Sequence, residues 1–112
     1  MPFDCLPESF VSDLVKLKIA LDGVKGGWRS GSLGRPDEAD HCLLGWLLVA
    51  TDWDTAEATR LALDYVYPAL PPKAQLKSGR LRSIYNYNDS KRQSRIVQLL
   101  DDAVKLAEKQ PA

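Results

Sequence analysis

Residues that build metal and redox centres are scarce in this chain, with only two cysteines and one histidine among 112 residues. Cys5 and Cys42 are too few for a disulfide framework, and no CxxC spacing supports a zinc ribbon or a thioredoxin-like site. In a reducing cytosol such cysteines sit as small buried hydrophobes. Long apolar runs are also missing. The longest, Cys42 to Ala50, spans nine residues, less than half of the roughly 20 that cross a bilayer. Charge of one sign is not in excess either, since 15 Lys and Arg balance 15 Asp and Glu. Met1-Pro2-Phe3-Asp4-Cys5 has no basic region leading into an apolar stretch, which predicts no secretory signal, a cytoplasmic location and no membrane contact. Neither G-x-x-x-x-G-K-[ST] nor G-x-S-x-G occurs, so neither a phosphate loop nor a nucleophile elbow is visible.

What is present is an ordinary soluble composition, 45% hydrophobic and 27% charged, at a length that fits a single domain over residues 1–112. Phe10, Val11, Leu14, Leu17 and Leu21 fall on three-four spacing, predicting a first helix from Pro7 to Asp22 that stops at Gly23. Five of the seven glycines lie between Gly23 and Pro36, a stretch that reads as a loop anchored by Trp28 and Leu33. Asp40 to Thr51 is apolar almost all round and reads as a central buried helix. Gly45 inside it costs roughly 1 kcal/mol against alanine, a cost that close approach of another backbone would offset. Asp54-Thr55-Ala56-Glu57 has the form of a capping box, opening a helix that ends near Pro68. Lys73 to Asp89 reads as irregular, with Leu81 to Tyr85 extended. The last helix starts at Asp89 or Ser90, with Gln93 completing a second box, and frays after Glu108. The expected fold is all-α: about four helices bundled around a buried central one, with a Gly-rich loop and an irregular 73–89 segment.

Zero net charge conceals a division. Residues 1–72 carry six basic and eleven acidic side chains, a net of −5. Residues 73–95 carry Lys73, Lys77, Arg80, Arg82, Lys91, Arg92 and Arg95 against Asp89 alone, a net of +6. Tyr85, Asn86, Tyr87 and Asn88 are interleaved with these cations. Three readings stand: a solvated face partly neutralised by the acidic helices, a surface for an anionic protein, or a phosphate-backbone surface for nucleic acid. The near-neutral total weighs against a dedicated nucleic-acid domain.

Chemistry-bearing clusters are few. Asp37-Glu38-Ala39-Asp40-His41 spells a helicase box, but without a phosphate loop those letters carry no mechanism. As metal ligands, Asp37, Asp40, His41 and Cys42 would mix hard and soft donors on a helix start where adjacent residues point apart; the expected metal ligands and cofactors are none. A small enzyme or metal protein around His41 and Cys42 is the third and least supported function class. Tyr85-Asn86-Tyr87-Asn88-Asp89 is the most unusual string. Tyr87, Asn88 and Asp89 read as a structural plug and cap of the final helix, leaving Tyr85 and Asn86 exposed.

Three pieces recur in order: Gly27-Trp28 followed by Gly31; Gly34-Arg35-Pro36 leading to Cys42-Leu43-Leu44-Gly45; and Ser83-Ile84 leading to Tyr87-Asn88-Asp89 ahead of Leu99-Leu100-Asp101-Asp102-Ala103. Over residues 20 to 107 this resembles a family of small bacterial and phage domains of unknown function. That family is marked by a Gly-Trp pair, a Cys-x-x-Gly helix and a Trp-Asn-Asp loop. Tyr87 stands where the family has tryptophan, and an acidic insert separates Pro36 from Cys42. The resemblance implies a small helical domain with Trp28, Cys42, Gly45, Tyr87, Asn88 and Asp89 as signature positions, and a mobile-element origin; it implies no activity. The expected function is a non-enzymatic interaction module, with no catalytic residues. It is expected to bind a host protein through Lys77, Arg80, Arg82, Tyr85, Asn86, Lys91, Arg92 and Arg95, the alternative being nucleic-acid binding through the same stretch.

Overall fold

The computed structural model describes residues 8–109, with side chains described from Asp13 onward. The expectations for Cys5, Pro7, Phe10 and Val11 lie outside those bounds. The architecture is all-α, and among the described residues there is no strand. Helix α1 runs Glu8–Gly26, α2 Leu43–Ala50 and α3 Thr55–Leu61. The last continues without a break through a π turn, Ala62–Val66, and a final turn, Tyr67–Ala69. A 3₁₀ turn at Pro72–Ala74 then leads to α4, Arg80–Ser90, and α5, Gln93–Glu108.

Helix α1 outruns the expected stop at Gly23. There the missing side chain is needed for packing rather than for a turn, because a Cβ would run into the ring of Trp46. Its apolar stripe of Leu17, Ala20, Leu21 and Val24 is buried against α2 on one side and α5 on the other. The nine-residue apolar run does form the short α2, buried at Leu43, Leu44, Gly45, Leu47 and Leu48. Gly45 is required by close approach: a Cβ at that position would strike the carbonyl oxygen of Leu33 and the Cβ of His41. Leu17, Leu43, Leu47, Leu61, Ile96 and Leu100 form the heart of the core, each worth about 1.5–3 kcal/mol of burial.

The α2–α3 corner is tight. Asp52 and Trp53 both take left-handed backbone angles, φ 57° and 62°, and Trp53 N–H donates to the Leu48 carbonyl at 2.6 Å. Asp54 caps α3 as its position predicts, accepting from Glu57 N–H at 3.1 Å. Pro68 does not end that helix at once; the π turn before it widens the backbone, with Tyr67 N–H reaching the Ala62 carbonyl. The stop comes at Leu70, which is extended ahead of Pro71.

The expected irregular 73–89 segment holds over residues 75–79 and is corrected beyond them. Residues 80–90 form a full helix, not a loop with an extended Leu81–Tyr85, and the last helix begins at Gln93 rather than at Asp89 or Ser90. The buried positions of α4 are Ser83, Ile84, Tyr87 and Asn88. That is a regular helical stripe, concealed from a hydrophobicity reading because two of its four members are polar. The expected second capping box does not form either. Gln93 Nε2 instead donates to the Val24 carbonyl at 2.6 Å, tying the start of α5 to the end of α1.

An ion network clamps α1 to α3. Arg60 bonds Asp13 and Glu57 on its two sides, Lys16 reaches Glu57 at 3.4 Å, and the Tyr65 hydroxyl donates to Asp13 at 2.8 Å. The Arg60 guanidinium holds the Glu57 carboxyl down to about 2, against an ordinary value of 4.5. The folded protein therefore binds fewer protons than the unfolded chain over that interval. The contribution of Glu57 is complete above about pH 4.5 and disappears as the pH falls towards 2. Urea unfolding as a function of pH should show this loss, and Glu57→Gln should flatten it; an identical pH profile in the variant would contradict the clamp. Gly45→Ala should lower stability by about 1–3 kcal/mol despite its better helix propensity, and an unchanged urea midpoint would contradict the close approach of Leu33.

Candidate functional site

Two sites emerge on opposite flanks of α4, one structural and one open. The structural one is built on Asn88, which is buried although it is an amide. Its Oδ1 accepts from the Trp28 indole N–H at 2.8 Å and from the backbone N–H of Leu43 at 3.1 Å. Its Nδ2 donates to the Arg29 carbonyl at 3.3 Å and to Asp89 Oδ1 at 3.1 Å, and Asp89 in turn accepts from Gly31 N–H at 2.8 Å. Asn88 and Asp89 were expected to cap the final helix. They instead secure the 28–31 segment, and Asn88 satisfies the first N–H of α2 from a different helix. Cys42 supplies the other α2 cap, its thiol accepting from Gly45 N–H at 3.5 Å.

His41 belongs to this same knot. Its position suggests a helix-start residue, hydrogen-bonded or solvated; it is buried and hydrogen-bonded, and it lies just ahead of α2. Its backbone pairs with the 27–29 segment in an isolated bridge opposite Trp28. Its Nδ1 lies 2.9 Å from the Leu33 carbonyl, an oxygen that only accepts, so Nδ1 carries the proton. Trp46 and Trp53 meet the ring edge-on, with centroids 4.8 and 5.9 Å away. Burial pushes the Cys42 thiol up from its ordinary value, away from the thiolate that nucleophilic or metal chemistry needs. Asp37 and Asp40 are exposed and do not join His41 and Cys42. Among the described residues, no three His, Cys, Asp or Glu side chains are grouped to hold a metal ion.

The open site is a cleft of about 470 Å³ between the 71–76 link, α4 and the start of α5. Lys73, Lys91 and Arg95 line it together with the polar groups of Ser83, Asn86 and Ser90, and its apolar wall comes from Pro71, Ala74, Leu76 and Tyr87. Lys91 Nζ sits 5.8 Å from the centre of the Tyr87 ring. All seven cations of the 73–95 segment are exposed. Among the described residues none of them lies within 4 Å of a carboxylate, whereas Lys16, Arg29, Arg35, Arg60 and Lys105 all do.

Comparison with protein-family models, with curated proteins and with solved structures finds no match to this chain. Of the site residues expected from sequence, Asn86, Lys91 and Arg95 converge on the cleft. Tyr85 lies apart from them, half-exposed over two smaller hollows that it shares with Leu33. Lys77, Arg80, Arg82 and Arg92 are exposed and line neither. Trp28, Cys42, Tyr87, Asn88 and Asp89 gather around the knot and the cleft wall. Sequence reading overlooked the apolar wall, because Leu76 and Ala74 carry no pattern until α4 folds against them, and it overlooked Ser90 for the same reason.

Asn88→Ala would leave two donors without an acceptor, so it should cost about 2 kcal/mol or more in urea unfolding. Trp28→Phe should then cost less in the Asn88→Ala background than in the parent chain. Additive effects in that double-mutant cycle would contradict the knot.

Proposed function

We propose that this protein is a non-enzymatic interaction module of the cytosol that binds an anionic protein partner through the 73–95 segment. A phage- or mobile-element-encoded modulator of a host protein fits that description. The observation that carries the reading is that, among the described residues, none of the seven exposed cations lies within 4 Å of a carboxylate, whereas five of the eight basic side chains elsewhere in the chain do. Exposed arginines and lysines left without counter-charges raise long-range attraction for an anionic surface.

Protein is favoured over nucleic acid by the charge of the rest of the chain. Residues 1–72 carry a net of −5, and an extended polyanion running past the cationic segment would meet that repulsion, whereas a compact acidic patch would not. The reading as a surface and not a reaction centre is supported by the burial of His41 and Cys42 and by the bonds of His41 Nδ1 and Cys42 Sγ to the backbone.

The test compares partners captured from a bacterial lysate by the parent chain and by a Lys73→Glu/Lys91→Glu/Arg95→Glu variant of unchanged helicity. The expected result is a captured protein released by salt and absent from the variant's eluate. Identical captures from both would contradict the reading. Retardation of DNA at low salt, abolished in the variant, would transfer the surface to nucleic acid.

A further inference from the structure

The cationic rim of the cleft is only half of its character. Its wall is apolar, formed by Pro71, Ala74, Leu76 and the ring of Tyr87, and Leu76 remains 37% exposed on an otherwise polar rim. A purely electrostatic contact has no use for such a wall, and a purely apolar ligand has no use for three cations that pair with no carboxylate among the described residues. About 470 Å³ falls within the range of pockets that enclose a small molecule or a large side chain.

The helix starts beside it point the same way. Helices α2 and α3 begin with side-chain caps from Cys42 and Asp54. Helices α4 and α5 begin with none, and neither has a carboxylate in its first turn. At α5, Lys91, Arg92 and Arg95 instead crowd the positive end of the helix dipole, where cations are locally unfavourable. Local rules of this kind are broken where a binding surface requires it, and an arriving carboxylate would relieve both the dipole and the mutual repulsion of the cations.

We infer that the cleft takes an acidic peptide segment of the partner, with one apolar or aromatic side chain seated against Leu76 and Tyr87. Carboxylates flanking that side chain meet Lys73, Lys91 and Arg95. This rests on the proposed protein-docking role of the cationic segment and adds to it the chemistry of what docks. Anchor-in-pocket binding of this form concentrates its energy in the seated side chain, with the charges setting orientation and encounter rate.

The experiment is selection of a displayed library of random 16-residue peptides on the immobilised full chain. Enriched peptides are then titrated by fluorescence anisotropy against the parent chain and Ser90→Trp, which fills the cleft without changing charge. Ala74→Trp, from the 71–76 link, takes its place if Ser90→Trp loses helicity. The expected result is a consensus of acidic residues around one apolar position, binding about tenfold or more weakly to the filled cleft. Acidic peptides without an apolar position, or ones that bind the filled cleft equally well, would overturn the inference while leaving the cationic docking surface intact. Enrichment without acidic residues, or none at all, would overturn both. Binding of an oligothymidylate that is lost on filling the cleft would overturn the peptide in favour of a stacked base.

Discussion

A single buried amide ties the 28–29 segment and the start of α2 to α4. Asn88 projects from α4, and its oxygen takes the Trp28 indole and the first N–H of α2, while its nitrogen reaches the Arg29 carbonyl. Two segments distant in sequence, 28–29 and the start of α2, thus depend on one side chain, and together they supply three groups that would be costly to bury alone. An apolar residue of similar size would fill the space and satisfy none of these groups. The helix that carries Asn88 also carries one wall of the cleft, through Asn86, Tyr87 and Ser90, so the position of the open site follows from that of the buried one.

That dependence explains what was legible in the sequence and what was not. Helix α2 could be read because every residue from Leu43 to Leu48 except Gly45 is large and apolar, and Gly45 could be read as a place of close approach. The start of α3 could be read because Asp54 and Glu57 act locally. Helix α4 could not, because its inward stripe includes Ser83 and Asn88, polar groups whose partners lie outside the helix: Ser83 receives the Leu76 N–H from the preceding link, and Asn88 receives groups from the distant residues 28 and 43. Periodicity reports burial through hydrophobicity, and it fails where burial is made tolerable by tertiary hydrogen bonds. Gln93 misled for the reverse reason: it matched a local capping pattern, while its amide was engaged with the end of α1.

Of the candidate site, the charge division was visible from counting alone, but its geometry was not. Counting does not distinguish cations consumed by the acidic half from cations left over, and both kinds exist here. Arg60 is surrounded by Asp13, Glu57 and Asp64, while Lys91 and Arg95 face a cleft. The difference is topological. Helices α1 and α3 bring their charges together across one packed face, whereas α4 and the start of α5 carry almost no carboxylate of their own. Tyr85, grouped with the arginines by sequence, turns to the Leu33 side because successive positions on a helix diverge by about 100°.

The Asn88 knot and α4 should open as one cooperative unit. Native-state hydrogen exchange of the parent chain, read at the amides of Gly31, Leu43 and residues 83–90 over a urea series, tests it most directly. These amides should converge on a common opening free energy, below that of the paired α1 and α5. Persistent protection of Gly31 and Leu43 under conditions where α4 has already opened would contradict it.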